Sequence, residues 1–398
     1  MHALRLLQKI ISSACPNIHK NRLHALIRIT EALLYSQRLS LTQLGRNLVG
    51  KAYVKHKIKR VDRLLGNSHL ATERRWIYEA LAHRLLKNVS QPVIIVDWSE
   101  LTNDQAYQLL RASLPLSGRS ITLFEEAHPI SKLTNRLVHK RFLNTLKEML
   151  PDNCHPIIVT DAGFRTTWFK MVEKLGWDYV GRVRNRTMLK ADDETHWRAC
   201  KTLYAIATSR ARYLGQYEQN RSNPLLGYFY IIKNKRKGRK RRTQNGTLDN
   251  SKNSKKVAKG QREPWLLVTS LGGHRQLAKR VVNLYRTRMQ IEEGFRDTKS
   301  YRLGFSLSES LTRNAGRLEI LLLISVLANW VLWVLGTLGE QQLLHYRYQS
   351  NTKKKGRALS VLYLGRQLVK QKVCDLRSKQ FNQILDSFRG DFDYECFE

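Results

Sequence analysis

A chain of 398 residues with 42% hydrophobic content is long enough for two or three domains around a large core, which excludes a disordered or low-complexity polypeptide. Its 70 Lys and Arg against 32 Asp and Glu leave a formal net charge of +38, far more than solubility requires. The expected partner is therefore a polyanion, nucleic acid before an acidic membrane surface. The five cysteines (Cys15, Cys154, Cys200, Cys374, Cys396) are scattered and form no C-x-x-C pair, which argues against a disulfide framework or a thiolate zinc site.

At the N-terminus Arg5 and Lys9 interrupt what would otherwise be an apolar leader, so a cytoplasmic protein is expected. Residues 1–90 read as helical. "RLHALIRITEALLYSQ" and "TERRWIYEALAHRLLK" repeat apolar residues near every 3.6 positions, and Thr72 is placed to cap the second. Between them, short helices punctuated at Gly45 and Gly50 carry Lys51, Lys55, Lys57, Lys59 and Arg60. This pattern suits a helix-turn-helix-like DNA-binding unit, with a solvated basic helix as the open alternative.

The period then changes. "QPVIIVDWSE" is a buried strand ended by Asp97, and "QAYQLLRAS" and "RSITLFEEA" form an antiparallel pair turning between Pro115 and Gly118. "TNRLVHKRFLNTLKEML" is an amphipathic helix. "HPIIVTDAGF" repeats the design of the first strand, with Asp161 at its end, before the helix "RTTWFKMVEKLG". From 184 to 264 periodicity fades, and Lys233 to Arg262 holds 13 Lys and Arg with Asp249 as the one acid, a basic insertion suited to phosphate or to solvent. "EPWLLVTSL" restores a strand. A helix containing "NLYRTRMQIEEGFRDTKS" follows, then the apolar run 320–338, read as a buried core helix in preference to a membrane span. Residues 346–398 form a small helical region.

Two similar strands ending in Asp97 and Asp161 would, if paired in parallel, place both carboxylates at one sheet edge. Such a pair suits Mg²⁺, which takes one or two carboxylates with water and phosphate. Two such ions can activate a nucleophile and stabilise a leaving oxygen. On one continuous helix Tyr285, Arg288, Glu292 and Lys299 would share a stripe, so Glu292 is the candidate third carboxylate, with Arg288 and Lys299 as phosphate ligands. Ordinary intrahelical ion pairing is the alternative for that stripe. Glu293 points elsewhere, and no phosphate-binding G-x-x-x-x-G-K-[ST] loop is present, so no nucleotide cofactor is expected.

Taken together, "VDWSE", "TDAGF" and the spacing Y-x2-R-x3-E-x6-K resemble the DDE triad and YREK signature of the insertion-sequence-four transposases, the bacterial cut-and-paste family containing the transposon-ten and transposon-five enzymes. On the transposon-ten side of that family the likeness extends to "LGRNLVGKAYVKHKIKRVDRLLGN" and "EPWLLVTSL". The resemblance implies an α/β protein with a ribonuclease-H-like catalytic core in two parts (91–183 and 271–345), a β-rich basic insertion (184–270), an all-helical DNA-binding domain (1–90) and a helical C-terminal region (346–398) suited to dimerisation. It further implies two Mg²⁺ ions, replaceable by Mn²⁺, on Asp97, Asp161 and Glu292. Tyr285, Arg288 and Lys299 would lie on phosphates, and Trp265 would stack on a base flipped during hairpin formation. Double-stranded transposon-end and target DNA would be the partner of a homodimer, nucleoid-associated when bound, with no membrane involved. Gly294 departs from the residue expected in this helix and suggests close DNA approach or decay. A nuclease that cleaves without joining, and a DNA-binding protein without catalysis, remain open.

Overall fold

The computed structural model describes residues 1–184, 186–234, 247–252, 254, 263–372 and 376–397. Most of the basic run from Lys233 to Arg262 lies outside the described residues. The chain forms two compact units, one from Met1–Cys154 with Met289–Cys396, the other built on His155–Arg288.

In the first unit the chain opens with α1 (His2–Ala14), α2 (Lys20–Ser36), α3 (Leu41–Arg46), α4 (Val54–Leu65) and α5 (Ser68–Leu86). Helix α5 begins a turn earlier than Thr72 predicts, because the Asn67 carboxamide accepts the Leu70 N–H (2.8 Å) and takes the capping role. Helix α4 keeps Val61, Leu64 and Leu65 inside and turns Lys55, Lys59 and Arg60 to solvent. Strands β1 (Val93–Glu100), β2 (Tyr107–Leu116) and β3 (Arg119–Pro129) follow in antiparallel order β3-β2-β1. The β2–β3 turn is tighter than expected: Pro115 stays in the strand, and the chain reverses over Ser117 (φ 44°) and Gly118 (φ 83°), the two positive angles a two-residue hairpin requires. Asn135 then caps α6 (Arg136–Met149) through the Leu137 and Val138 N–H groups.

The second unit starts with a parallel pair, β4 (Ile157–Thr160) and β5 (Asp178–Val183), joined through α7 (Thr166–Lys174). It continues with β6 (Met188–Ala191), β7 (Arg198–Ala199), β8 (Arg212–Gln219), β9 (Leu225–Ile232) and β10 (Trp265–Thr269), in the order β4-β5-β10-β9-β8-β6-β7. Antiparallel ladders link β10 to β5 and to β9. Helix α8 (Leu277–Thr287) buries Val281, Val282 and Leu284.

Returning to the first unit, the chain forms α9 (Met289–Lys299), α10 (Ala315–Gln341), α11 (Val361–Gln371) and α12 (Ser378–Ser387). Among the described residues α10 is the one helix long and apolar enough to cross a membrane, yet 89% of its apolar window is buried within the protein. It is enclosed by helices that precede it, α2 and α5, and by helices that follow it, α11 and α12. Gly336 and Gly365 allow the closest contact, since a Cβ would fall 2.1 Å from the Val361 carbonyl oxygen at the first and 2.3 Å from that of Leu332 at the second.

Gly294 has a structural cause rather than the expected one. It is buried in α9 against β3, where a Cβ would sit 2.8 Å from Ser120 Oγ. That hydroxyl is itself buried without a hydrogen-bond partner. Gly294→Ala should therefore forfeit the roughly 1 kcal/mol of added helix propensity to an overpacking cost of about 1–3 kcal/mol. Adding Ser120→Ala removes the obstructing oxygen and should make the double variant at least as stable as the wild type in urea denaturation. A single variant already more stable than wild type would refute the packing account.

Candidate active site

In the first unit the apolar run Val93–Val96 buries the first half of β1 completely, and Asp97, only 9% exposed, is its first polar residue. Its Oδ1 accepts the backbone N–H of Trp98 at 2.8 Å, which fixes the carboxylate; β1 does not end at Asp97 as expected but continues to Glu100, because Trp98, Ser99 and Glu100 stay paired with β2. Lys299 of α9 reaches the same end, where its Nζ donates to Ser99 Oγ (2.6 Å) and to the Glu100 carbonyl (2.7 Å). Burial pulls the Lys299 ammonium down to about 8, with Arg111 adding to the effect and Glu100 and Asp97 opposing it. Glu292 is exposed on α9, seven residues and hence about two turns before Lys299 on the same face. Glu293 is engaged elsewhere, paired with Arg119 (3.0 Å) and with Arg296.

The C-terminal region supports this helix from below. Arg366 of α11, nearly excluded from solvent, donates to the carbonyls of Leu303 (2.6 Å) and Asp297 (3.4 Å). Burial raises the Asp297 carboxyl to about 6 although Arg119 and Arg366 oppose the shift. The guanidinium of Arg119 pairs with Asp297 at 2.8 Å.

In the second unit Asp161 follows β4 and its Oδ1 accepts the Gly163 N–H at 2.7 Å, an Asx turn that starts the loop into α7. Tyr285 of α8 is buried, with its ring edge-on to Trp265 of β10 (centroids 4.9 Å apart, 74° between planes). Burial pushes the Tyr285 hydroxyl up, while Arg288 and Arg182 pull it back and Asp161 raises it further. Trp265, Arg288, Asp161 and Arg182 of β5 are thereby gathered around Tyr285, and Arg182 also donates to the Pro264 carbonyl at 3.4 Å. Trp265 is half-buried, so part of its ring meets solvent.

The continuous stripe expected over 285–299 is divided. Helix α8 ends at Thr287, the Arg288 N–H turns to the Tyr285 carbonyl (3.2 Å, three residues back), and α9 begins at Met289. Tyr285 and Arg288 thus belong to the second unit, Glu292 and Lys299 to the first. Arg182 was not anticipated, because one arginine inside a strand is indistinguishable by sequence among 70 Lys and Arg. Of the N-terminal basic residues, Lys51, Lys55, Lys59 and Arg60 are exposed and Lys57 is half-buried; Lys59 is paired with Asp62 (3.1 Å).

Among the described residues no three His, Cys, Asp or Glu side chains form a group able to hold a metal ion, and the two aspartates each turn an oxygen to a local backbone N–H. The donor chemistry nevertheless fits a hard divalent cation, for which carboxylate oxygens are the preferred ligands. Asp97 in particular is a carboxylate oriented in advance by its own strand.

Residues 90–327, more than half of the chain, match the family model described as the transposase DDE domain. A comparison with curated proteins finds no match. Similar solved structures include a cryo-EM structure of the piggyBac transposase synaptic complex with hairpin DNA, which is 11% identical, has a TM-score of 0.39, and covers 98% of this chain and 83% of that one. By the match over 90–327, which contains Asp97, Asp161 and Glu292, the chain belongs to the DDE transposase family of enzymes.

Proposed function

We propose that the protein is a cut-and-paste transposase of the insertion-sequence-four type, which binds the terminal inverted repeats of its element, cleaves through a hairpin intermediate and joins the ends to target DNA. The observation that carries this reading is the family match, whose span contains Asp97, Asp161 and Glu292 in that order. The antiparallel β1–β3, followed by α6 and a parallel β-α-β pair, supports a ribonuclease-H-like core in which the β-rich segment is an insertion.

DDE transposases use divalent metal ions. Asp97, Asp161 and Glu292 would hold two Mg²⁺, with Mn²⁺ as a substitute; when bound, these ions would acidify the attacking hydroxyl or water and stabilise the leaving oxygen. Lys299 and Arg288 hold phosphates beside the scissile bond, Tyr285 orders Arg182 for the same purpose, and Trp265 stacks on an extruded base. Lys51 before α4 and Lys55, Lys57, Lys59 and Arg60 on it bind the end DNA. Residues 1–90 act as the DNA-binding domain and 346–398 as a dimer contact in the paired-end complex. The protein works in the cytoplasm, on the nucleoid.

The direct experiment incubates the protein and Mg²⁺ with DNA ending in the inverted repeats that flank its gene. Nicks, then hairpins, then strand-transfer products are expected; hydrolysis that never yields a joined product would reduce the protein to an endonuclease. In the same assay Trp265→Ala should depress hairpin formation about tenfold more than nicking, the 1–3 kcal/mol of a lost base stack. Equal losses would assign Trp265 to packing against Tyr285.

Lys299 sets an alkaline limit. Its folded-state pKa of about 8 lies below the ordinary 10.5, so free protein loses this cation as pH rises through 8. The unfolded chain keeps that proton up to 10.5, so the same group makes folding stability rise, not fall, between pH 8 and 10.5. Cleavage at subsaturating DNA should decline above pH 8 while the fold holds. Lys299→Arg, which does not titrate in this range, should move that limb up by about one pH unit or more; an unmoved limb excludes Lys299 as its origin.

A further inference from the structure

Successive residues of a strand face opposite sides of the sheet, so Asp97 and Trp98 lie back to back on β1. They are nevertheless coupled, since the carboxylate of Asp97 accepts the N–H of the peptide that carries Trp98 (2.8 Å). Any tilt of that peptide therefore turns the carboxylate.

On the far side the Trp98 ring is held at its polar end. Its Nε1–H donates to Nε2 of His139, a buried residue of α6, at 3.0 Å. Indole nitrogen can only donate, so Nε2 of His139 is the unprotonated nitrogen and the ring is the neutral Nδ1–H tautomer. Burial, with His128 adding to it, pushes His139 down to about 4, which keeps Nε2 an acceptor at neutral pH. The edge of the indole meets His128 of β3 (centroids 5.7 Å apart), and His128 is fixed by Glu126 (3.1 Å), which Arg141 also approaches (3.5 Å).

The position matters because burial falls away along Trp98, Ser99 and Glu100 although the ladder to β2 continues to Glu100. The backbone is thus held there by its strand pairing, while the Asp97 carboxylate depends on the 97–98 peptide for its own orientation. We propose that His139 and Trp98 are positioning residues that act through the 97–98 peptide to hold the Asp97 carboxylate in its metal-binding orientation. This rests on the reading of Asp97 as a metal ligand. Its logic is that of partners around a metal site, which orient a ligand without touching the ion and whose loss typically weakens metal affinity 10–100-fold.

The test measures Mn²⁺ affinity by electron paramagnetic resonance on the full-length protein bound to end DNA. His139→Leu and Trp98→Phe should each weaken Mn²⁺ binding about tenfold, with DNA affinity unchanged within about twofold. Because both break one connection, the double variant should be no worse than either single one, and His139→Gln, which restores an acceptor, should recover most of the affinity. Should His139→Leu fail to fold, Trp98→Phe, which keeps an aromatic ring in place, decides alone. Unchanged Mn²⁺ affinity in a folded variant, or additive losses, overturns the proposal. Asp97→Ala separates the two levels: wild-type Mn²⁺ binding there removes Asp97 as a ligand, whereas lost binding there with normal binding in Trp98→Phe removes only the clamp.

Discussion

Alanine at Asp97, Asp161 or Glu292 is expected to reduce DNA cleavage by about a thousandfold or more while leaving binding to transposon ends intact. A metal-stabilised oxyanion contributes several kcal/mol in the transition state, and about 4 kcal/mol corresponds to three orders of magnitude in rate. Since the three carboxylates would serve one centre, pairs of substitutions should be scarcely worse than single ones. Binding should survive because Lys and Arg carry the contacts to phosphate, and removal of an acid from a chain of net charge +38 subtracts nothing from that attraction. Single-turnover cleavage and gel-shift titrations on the same DNA provide the comparison. Wild-type cleavage by any one variant would release that residue from the catalytic assignment. Loss of end binding would point instead to a docking role.

The second large effect lies beneath the Glu292 helix. Glu125 is fully buried and Arg111 is 2% exposed, with Nε and Oε2 2.7 Å apart. Tyr78 donates to Glu125 (3.3 Å), Arg111 donates to Thr298 of α9 (3.2 Å), and its guanidinium lies 4.9 Å from the Phe295 ring centroid. Arg111→Met would strand a carboxylate in the core and should cost about 3–5 kcal/mol. At roughly 2–4 °C per kcal/mol the melting temperature should drop by about 6–20 °C. Arg111→Met with Glu125→Leu should regain most of this loss, because an apolar pair of similar volume carries no desolvation cost. If Arg111→Met melts with the wild type, the pair is not the fastening described.

Much of this architecture was readable from sequence. The runs "VIIV" and "IIVT" announced two buried strands, but only the second stops before its aspartate, since β1 stays paired through Asp97 as far as Glu100, which the apolar run alone does not show. The buried character of 320–338 followed from its context, and the separation of Glu292 from Glu293 followed from helical spacing. Other features left no local trace. The break at Arg288 has neither Gly nor Pro to announce it. Strand β8 is half-buried along most of its length, so its sequence lacks the alternation that betrays a strand. Gly294 answers to Ser120, a neighbour 174 positions away, and Arg182 acquires meaning only beside Tyr285. Contacts of that separation are set by packing rather than by periodicity.

Helix α10 imposes an order of events on the making of the protein. At 27 residues and about 1.5 Å per residue it is a rod of roughly 40 Å, apolar on nearly every side. Its covering comes from helices that precede it in the chain and from helices that follow it. Until residues beyond 361 are synthesised, the part of the rod that α11 and α12 cover is bare, so the first unit closes only after they have been made. Messages or breaks that stop short of α11 would therefore yield a sticky, aggregation-prone fragment rather than a weakened transposase.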